Sequence, residues 1–226
     1  MNEVLFAWPM GAHVGSRVPK EKFVGGSKHG AGVRTRFVSE VERVTWAYKL
    51  AETTINLPGN ESVPEVQVFD VEAKGDDVSN VVLTAIDKAV QFPIVFEVRR
   101  AGRRGPEVRM TAAHKQLSKG APKLSAYFTT HWFSADARRR ALPTAITLPN
   151  LYVALVDSLT PLTARPGEDA GDVSARLTAV SRLTREVSAL ERKLRNEPQL
   201  NRRFELRRSV LAKQAELKDL AQGELS

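Results

Sequence analysis

The chain has 226 residues, 42% of them hydrophobic and 27% charged. That is the composition of a globular protein with a buried core, and it excludes wholesale disorder. There is no cysteine, so disulfides, thiolate nucleophiles, zinc fingers and iron–sulfur clusters are excluded. Thirty-four Lys and Arg stand against 26 Asp and Glu, a net charge of +8, which tilts the expected partners toward polyanions.

The length suits one large domain, or a domain with an appendage. Residues 1–12 carry Glu3 ahead of Val4, Leu5 and Phe6 and no basic leader. No segment reaches the ~20 apolar residues of a membrane span, so a cytoplasmic protein is expected.

Val4 to Trp8 reads as a short strand stopped by Pro9. Residues 25–32 read as a glycine-rich loop. Gly25 and Gly30 have the spacing of a phosphate-cradling loop, but Ala31 stands where its lysine is needed. Phe37, Val41, Val44 and Tyr48 recur at helical spacing, which predicts a helix over 34–50. Val66 to Lys74 alternates as a strand, with Val66, Val68, Asp70, Glu72 and Lys74 on one face. A helix over 78–90 follows, with Asp77 as its expected N-cap. Strands are predicted at Ile94–Val98, Val108–His114 and Leu124–Phe133, with a charged hairpin turn over 100–106. A helix near 150–159 closes the unit.

Residues 161–171 read as a linker rich in Pro, Gly and acids. Beyond it Leu177, Val180, Leu183 or Thr184, Val187, Leu190 and Leu194 follow a three-four repeat. Pro198 breaks the pattern. Leu206, Val210, Leu217 and Leu220 resume it. Two helices of about 23 residues would each be ~35 Å long, and a helical hairpin is expected because the proline falls at the midpoint. The expected class is α+β: a mixed, largely antiparallel sheet with packed helices, then an antiparallel, coiled-coil-like helical hairpin. The expected division is residues 1–160, a linker 161–171 and the hairpin 172–226.

The stretches Val63 to Lys74, Ala85 to Phe96 and Pro198 to Leu206 resemble a bacterial domain-of-unknown-function family numbered in the four-thousands. Its members tend to be encoded beside helicases and DNA methyltransferases of restriction-like or phage-defence loci. The resemblance implies an accessory subunit working with DNA-processing enzymes. It brings no catalytic residues.

The residues themselves offer three sites. Asp70, Glu72 and Lys74 share a strand face, as the Glu-x-Lys strand of a Mg²⁺-dependent nuclease would. Such a site needs a second acid. Glu65 is on the same strand about 17 to 23 Å away, and Glu40 or Glu42 could only substitute from elsewhere. The bland reading is a solvated strand face. Arg99, Arg100, Arg103, Arg104, Arg109, Lys115 and Lys119 crowd one hairpin opposed only by Glu107, and Arg138, Arg139 and Arg140 follow. Such a ribbon can track a phosphate backbone without reading bases. The third site is the leucine face of the hairpin, which would dock a partner helix or a second copy. The four histidines lack metal-ligand spacing, and no metal site is expected. No cofactor is expected either, except Mg²⁺ for the nuclease.

The first expectation is therefore a non-catalytic accessory protein that touches nucleic acid through the basic hairpin and a helicase or methyltransferase through the C-terminal helices. The alternatives are the nuclease and a pure protein scaffold.

Overall fold

The computed structural model describes residues 4–24, 31–117, 122–159, 197–221 and part of 175–194. The glycine loop at 25–30, Lys119, the expected linker and Leu177 lie outside the described residues. The chain divides into two compact units, Met1–Thr160 and Pro161–Ser226.

The first unit is mixed α+β. A short 3-10 turn at Met10–Ala12 leads into β1 (His13–Arg17), α1 (Glu21–Val24), α2 (Ala31–Glu40) and β2 (Val41–Ala51). Then come α3 (Glu52–Ile55), β3 (Glu65–Ala73), α4 (Asn80–Ala89), β4 (Ile94–Gly102) and β5 (Gly105–Ala112). The short strands β6 (Lys115–Gln116), β7 (Lys123–Leu124), β8 (Phe128–Thr129) and β9 (Phe133–Ser134) precede α5 (Leu148–Leu159). The main sheet runs β1-β2-β3-β4-β5, with both β8 and β9 on the far side of β5. Its one parallel pair is β3 with β4, joined by the crossover helix α4; the other pairs are antiparallel.

One sheet face packs Val44, Phe69, Val71, Ile94, Phe96 and Val98 against Phe37, Val82, Leu83 and Ile86 of the helices. The opposite face buries Val66, Val68, Val95, Val108 and Met110, and α5 lies against β3, β5 and β8. Burial on both faces explains the near-continuous apolar runs of β3 and β4.

Several expectations are corrected. The helix predicted over 34–50 is a helix only to Glu40, and Val41–Ala51 is a strand. Its register against β3 shifts between Val41 and Arg43 and again between Trp46 and Tyr48. Each bulge inserts a residue, so Val41, Val44, Ala47 and Leu50 are buried at intervals of three and imitate a helical period. Asp77 is not the N-cap of α4. Ser79 is, and its backbone N–H donates to the Glu40 carboxylate at 2.7 Å. The single strand expected over 124–133 is three short pieces. Val4 to Trp8 forms no strand beyond a bridge from Phe6 to Arg140. The hairpin turn is tighter than expected: β4 runs to Gly102 and β5 begins at Gly105. Gly105 has φ +128, which a side chain would resist.

In the second unit the described residues between 175 and 194 are helical, and α6 spans Leu200–Ala221. Arg176 Nη1 donates to the Leu220 carbonyl at 3.3 Å, Lys213 reaches Glu186 at 3.3 Å, and Gln214 donates to Glu191 at 3.1 Å. Pairing early with late is an antiparallel hairpin that turns at Pro198.

Candidate functional site

The charged groups of the first unit gather where β3 and β4 end and β5 begins. Asp70 on β3 and Glu97 on β4 are register partners in the parallel pair, so both carboxylates project from the same face. Glu97 is 1% exposed. Its Oε1 accepts from Trp8 Nε1 at 2.6 Å and from Arg139 Nη1 at 2.6 Å. Its Oε2 accepts from Arg99 Nη2 at 2.6 Å and from Arg139 Nη2 at 3.0 Å. A carboxylate offers about four lone-pair directions, and four donors fill them. Arg139 also donates to the Phe6 carbonyl at 2.7 Å, tying the N-terminal segment to the sheet. Its hydrogen bonds to Glu97 raise its pKa against the opposing effect of burial.

Asp70 receives Arg99 Nε on Oδ2 at 3.3 Å. Its Oδ1 is buried with no hydrogen-bond partner among the described residues. Burial outweighs the nearby Arg99 guanidinium and, helped by the Glu97 charge, lifts the carboxyl from 3.8 to about 6. Tyr48, on the neighbouring strand, is likewise raised by burial and by these two acids.

The sign of the Asp70 shift gives a prediction. Its folded pKa lies above the unfolded value, so the native state holds the extra proton between about pH 4 and pH 6. Stability from this group therefore falls as pH rises through that window, by up to about 3 kcal/mol for two units. Asp70→Asn should flatten this part of the profile. Urea midpoints at pH 4, 5, 6 and 7 for both proteins check it. Parallel profiles would contradict it.

The nuclease constellation does not assemble as expected. Glu72 is taken by Arg43, whose Nε donates at 3.1 Å. Lys74 lies past the end of β3 and donates to the Val38 carbonyl of α2 at 2.9 Å. Glu65 is held by Lys49 at 2.9 Å and by Gln67. Glu40 is held by Ser79 and Arg36. The acid that does stand beside Asp70 is Glu97, which sequence reading passed over as part of an apolar strand. Its signal was a lone carboxylate between Phe96 and Val98. Among the described residues no three His, Cys, Asp or Glu side chains converge as metal ligands.

The basic hairpin separates into two populations. Arg99 serves the acids above. Arg100 donates to Glu107 at 2.7 Å and to the Asp76 carbonyl at 2.7 Å. Arg109 is buried and donates to Asp77 at 2.7 Å. Arg100 and Arg109 both lie over the Trp132 ring, 4.1 and 5.2 Å from its centroid, where cation–π attraction holds them. Lys115 is fully buried on Asp87.

The model of a family described as domain of unknown function (DUF4391) matches residues 6–217. The chain belongs to this family. No curated protein and no solved structure matches it.

In this DUF4391 member the arginines of the ribbon and of the 138–140 triplet that the acids above leave unpaired are Arg103 and Arg104, at the tip between β4 and β5, with Arg138 and Arg140. All four are exposed, and no carboxylate among the described residues pairs with them. The segment after β9 is pinned to the ribbon by Ala135 N–H on the Pro106 carbonyl at 2.9 Å. It then runs back to Glu97 through Arg139. The triplet alternates outward, inward, outward, so only its middle member is spent inside.

Among the described residues, the leucine face expected to dock a partner is partly buried. Val187 and Val210 are buried, and Val180, Leu190, Leu194, Leu206, Leu217 and Leu220 are half-buried. Among the described residues no helix is long and apolar enough to cross a membrane.

Proposed function

We propose that this DUF4391 protein is a non-catalytic, cytoplasmic accessory component of a bacterial DNA-processing or phage-defence system. It contacts the nucleic-acid backbone through Arg103, Arg104, Arg138 and Arg140, and its C-terminal helices engage a helicase or methyltransferase. The observation that carries the reading is that Arg103 and Arg104 at the ribbon tip, with Arg138 and Arg140, are exposed and have no carboxylate partner among the described residues. Arginine forks suit phosphate oxygens, and no base-reading element accompanies them, so contact is independent of sequence. The family's restriction-like neighbourhood, which its resemblance implies, supports the setting. The acids Asp70, Glu72 and Glu97, each held by arginine, support the non-catalytic part.

Retention of a labelled DNA duplex at 50 and 200 mM salt tests the reading. Four phosphate contacts give a slope near −3.6, so affinity should drop about 10²-fold over that range. Replacing Arg103, Arg104, Arg138 and Arg140 together by Gln should abolish most of the salt dependence. Unchanged retention by that variant would sink the assignment. Absence of binding at 50 mM would favour the scaffold. Running the same mixtures with Mg²⁺ addresses the nuclease alternative on Asp70, Glu72 and Lys74. Cleavage lost in both Glu72→Ala and Lys74→Ala would favour it.

A further inference from the structure

Helix α6 carries two large apolar side chains on its surface, Phe204 at 62% and Leu211 at 59% exposure. Seven residues apart, they lie on one stripe, about 10 Å from each other along the axis. Arg208 falls on the same stripe, with Arg203 and Arg207 along one flank and the single acid Glu205 on the other. All three arginines are exposed. Among the described residues, ion pairs join Arg182 to Glu186, Lys213 to Glu186 and Lys213 to Glu216, and none of the three arginines has a carboxylate partner. On the other side of α6, away from this stripe, a cleft of about 740 Å³ is lined by Ala189, Lys193, Glu197, Arg202, Glu205, Leu206 and Ser209.

We infer that this face of α6 binds an acidic amphipathic helix of a partner protein. A seven-residue apolar interval is the repeat by which one helix packs along another, and anchors at that spacing are how a helix is read in a groove. The flanking arginines sit where a coiled-coil partner places its charged residues, so they select carboxylates. A second copy is disfavoured, because a two-fold contact through this face sets arginines against arginines. A nucleic acid would use the arginines and stack on Phe204 but has no match for Leu211.

This inference rests on the partner half of the accessory reading and names the partner's chemistry. The test uses the full chain and a labelled synthetic helix of about three heptads, with Leu at the seam and Glu at the flanking positions. A matched peptide with Lys at the flanks and a single-stranded oligothymidylate serve as comparison probes. The Glu peptide should bind, and the Lys peptide and the oligothymidylate should not. Phe204→Ala with Leu211→Ala should weaken binding at least tenfold. Arg203→Glu with Arg207→Glu and Arg208→Glu should also weaken it at least tenfold and shift preference toward the Lys peptide. These positions are exposed, and circular dichroism establishes that helicity is kept. The Arg103, Arg104, Arg138 and Arg140 variant should bind the Glu peptide unchanged, so failure of the DNA contact is read separately. Absence of Glu-peptide binding, equal binding of both peptides, or indifference to the α6 substitutions would overturn the inference. So would self-association lost in Phe204→Ala, or oligothymidylate binding lost in that variant.

Discussion

Replacing Lys115 by Met is expected to destabilise the first unit by about 3–5 kcal/mol, the cost of breaking a buried ion pair by removing one partner. The Lys115 ammonium is 0% exposed and meets Asp87, 1% exposed, at 3.2 Å. It also donates to the carbonyls of Asp87, Val90 and Phe92 at 2.5, 2.6 and 2.8 Å. These carbonyls include the C-terminal end of α4, whose last carbonyls have no partner inside the helix. Burial pushes the lysine pKa down and the aspartate pKa up, while their mutual attraction opposes both shifts. Met would keep the volume and remove every donor. Asp87 would retain the Tyr127 hydroxyl at 2.7 Å, which cannot offset a buried charge. For a unit of this size the loss amounts to a fall in Tm of about 10 °C. The double variant Lys115→Met with Asp87→Leu should recover part of it, because no charge is then stranded. Guanidinium unfolding of the three proteins decides, and a loss under about 1 kcal/mol in Lys115→Met would contradict the argument.

Glu97→Leu is expected to cost a similar amount, about 3–5 kcal/mol. It would leave the Arg139 and Arg99 guanidinium groups with only Asp70 for an acid, and the buried Trp8 indole N–H with no acceptor. Glu97→Gln keeps the shape and one acceptor oxygen but loses the charge. Charge-assisted hydrogen bonds contribute about 1.5–3 kcal/mol each, so it should lie between wild type and the Leu variant. Because Arg139 also holds the Phe6 carbonyl, the N-terminal segment should loosen first. Trp8 reports that loosening through its fluorescence, ahead of the main unfolding transition. An unchanged midpoint in Glu97→Gln would show that the network contributes no net stability.

Local pattern and nonlocal pairing divide what could be read in this chain. The strand β3, the helix α4, the ribbon of β4 and β5, the helix α5 and the C-terminal hairpin all follow from runs of alternating or helically spaced apolar residues. Pro198 placed the break. The pattern misled at β2, where two bulges turned a period of two into a spacing of three, and around Lys123–Ser134, where β7 pairs with β6 and the short pieces β8 and β9 follow the edge of β5 rather than their own periodicity.

Charge was the less legible layer. A sequence shows seven basic residues crowded at 99–119 but not which carboxylates wait for them. Arg109 and Lys115 are indistinguishable in sequence from Arg103 and Arg104. One pair is buried on Asp77 and Asp87, while the other is free at the tip. Glu97 was hidden in an apolar run, and its partner Arg139 was hidden in a triplet whose outer members face water.

The sequence by itself determined the α+β class, the absence of cysteine chemistry, the basic balance and the hairpin break, because each depends on composition or on neighbours within a few residues. Only the tertiary structure decided which charges are spent and which remain. Desolvation and pairing act here between residues far apart in the chain, 28 positions from Asp87 to Lys115 and 89 from Trp8 to Glu97, and no local pattern records them.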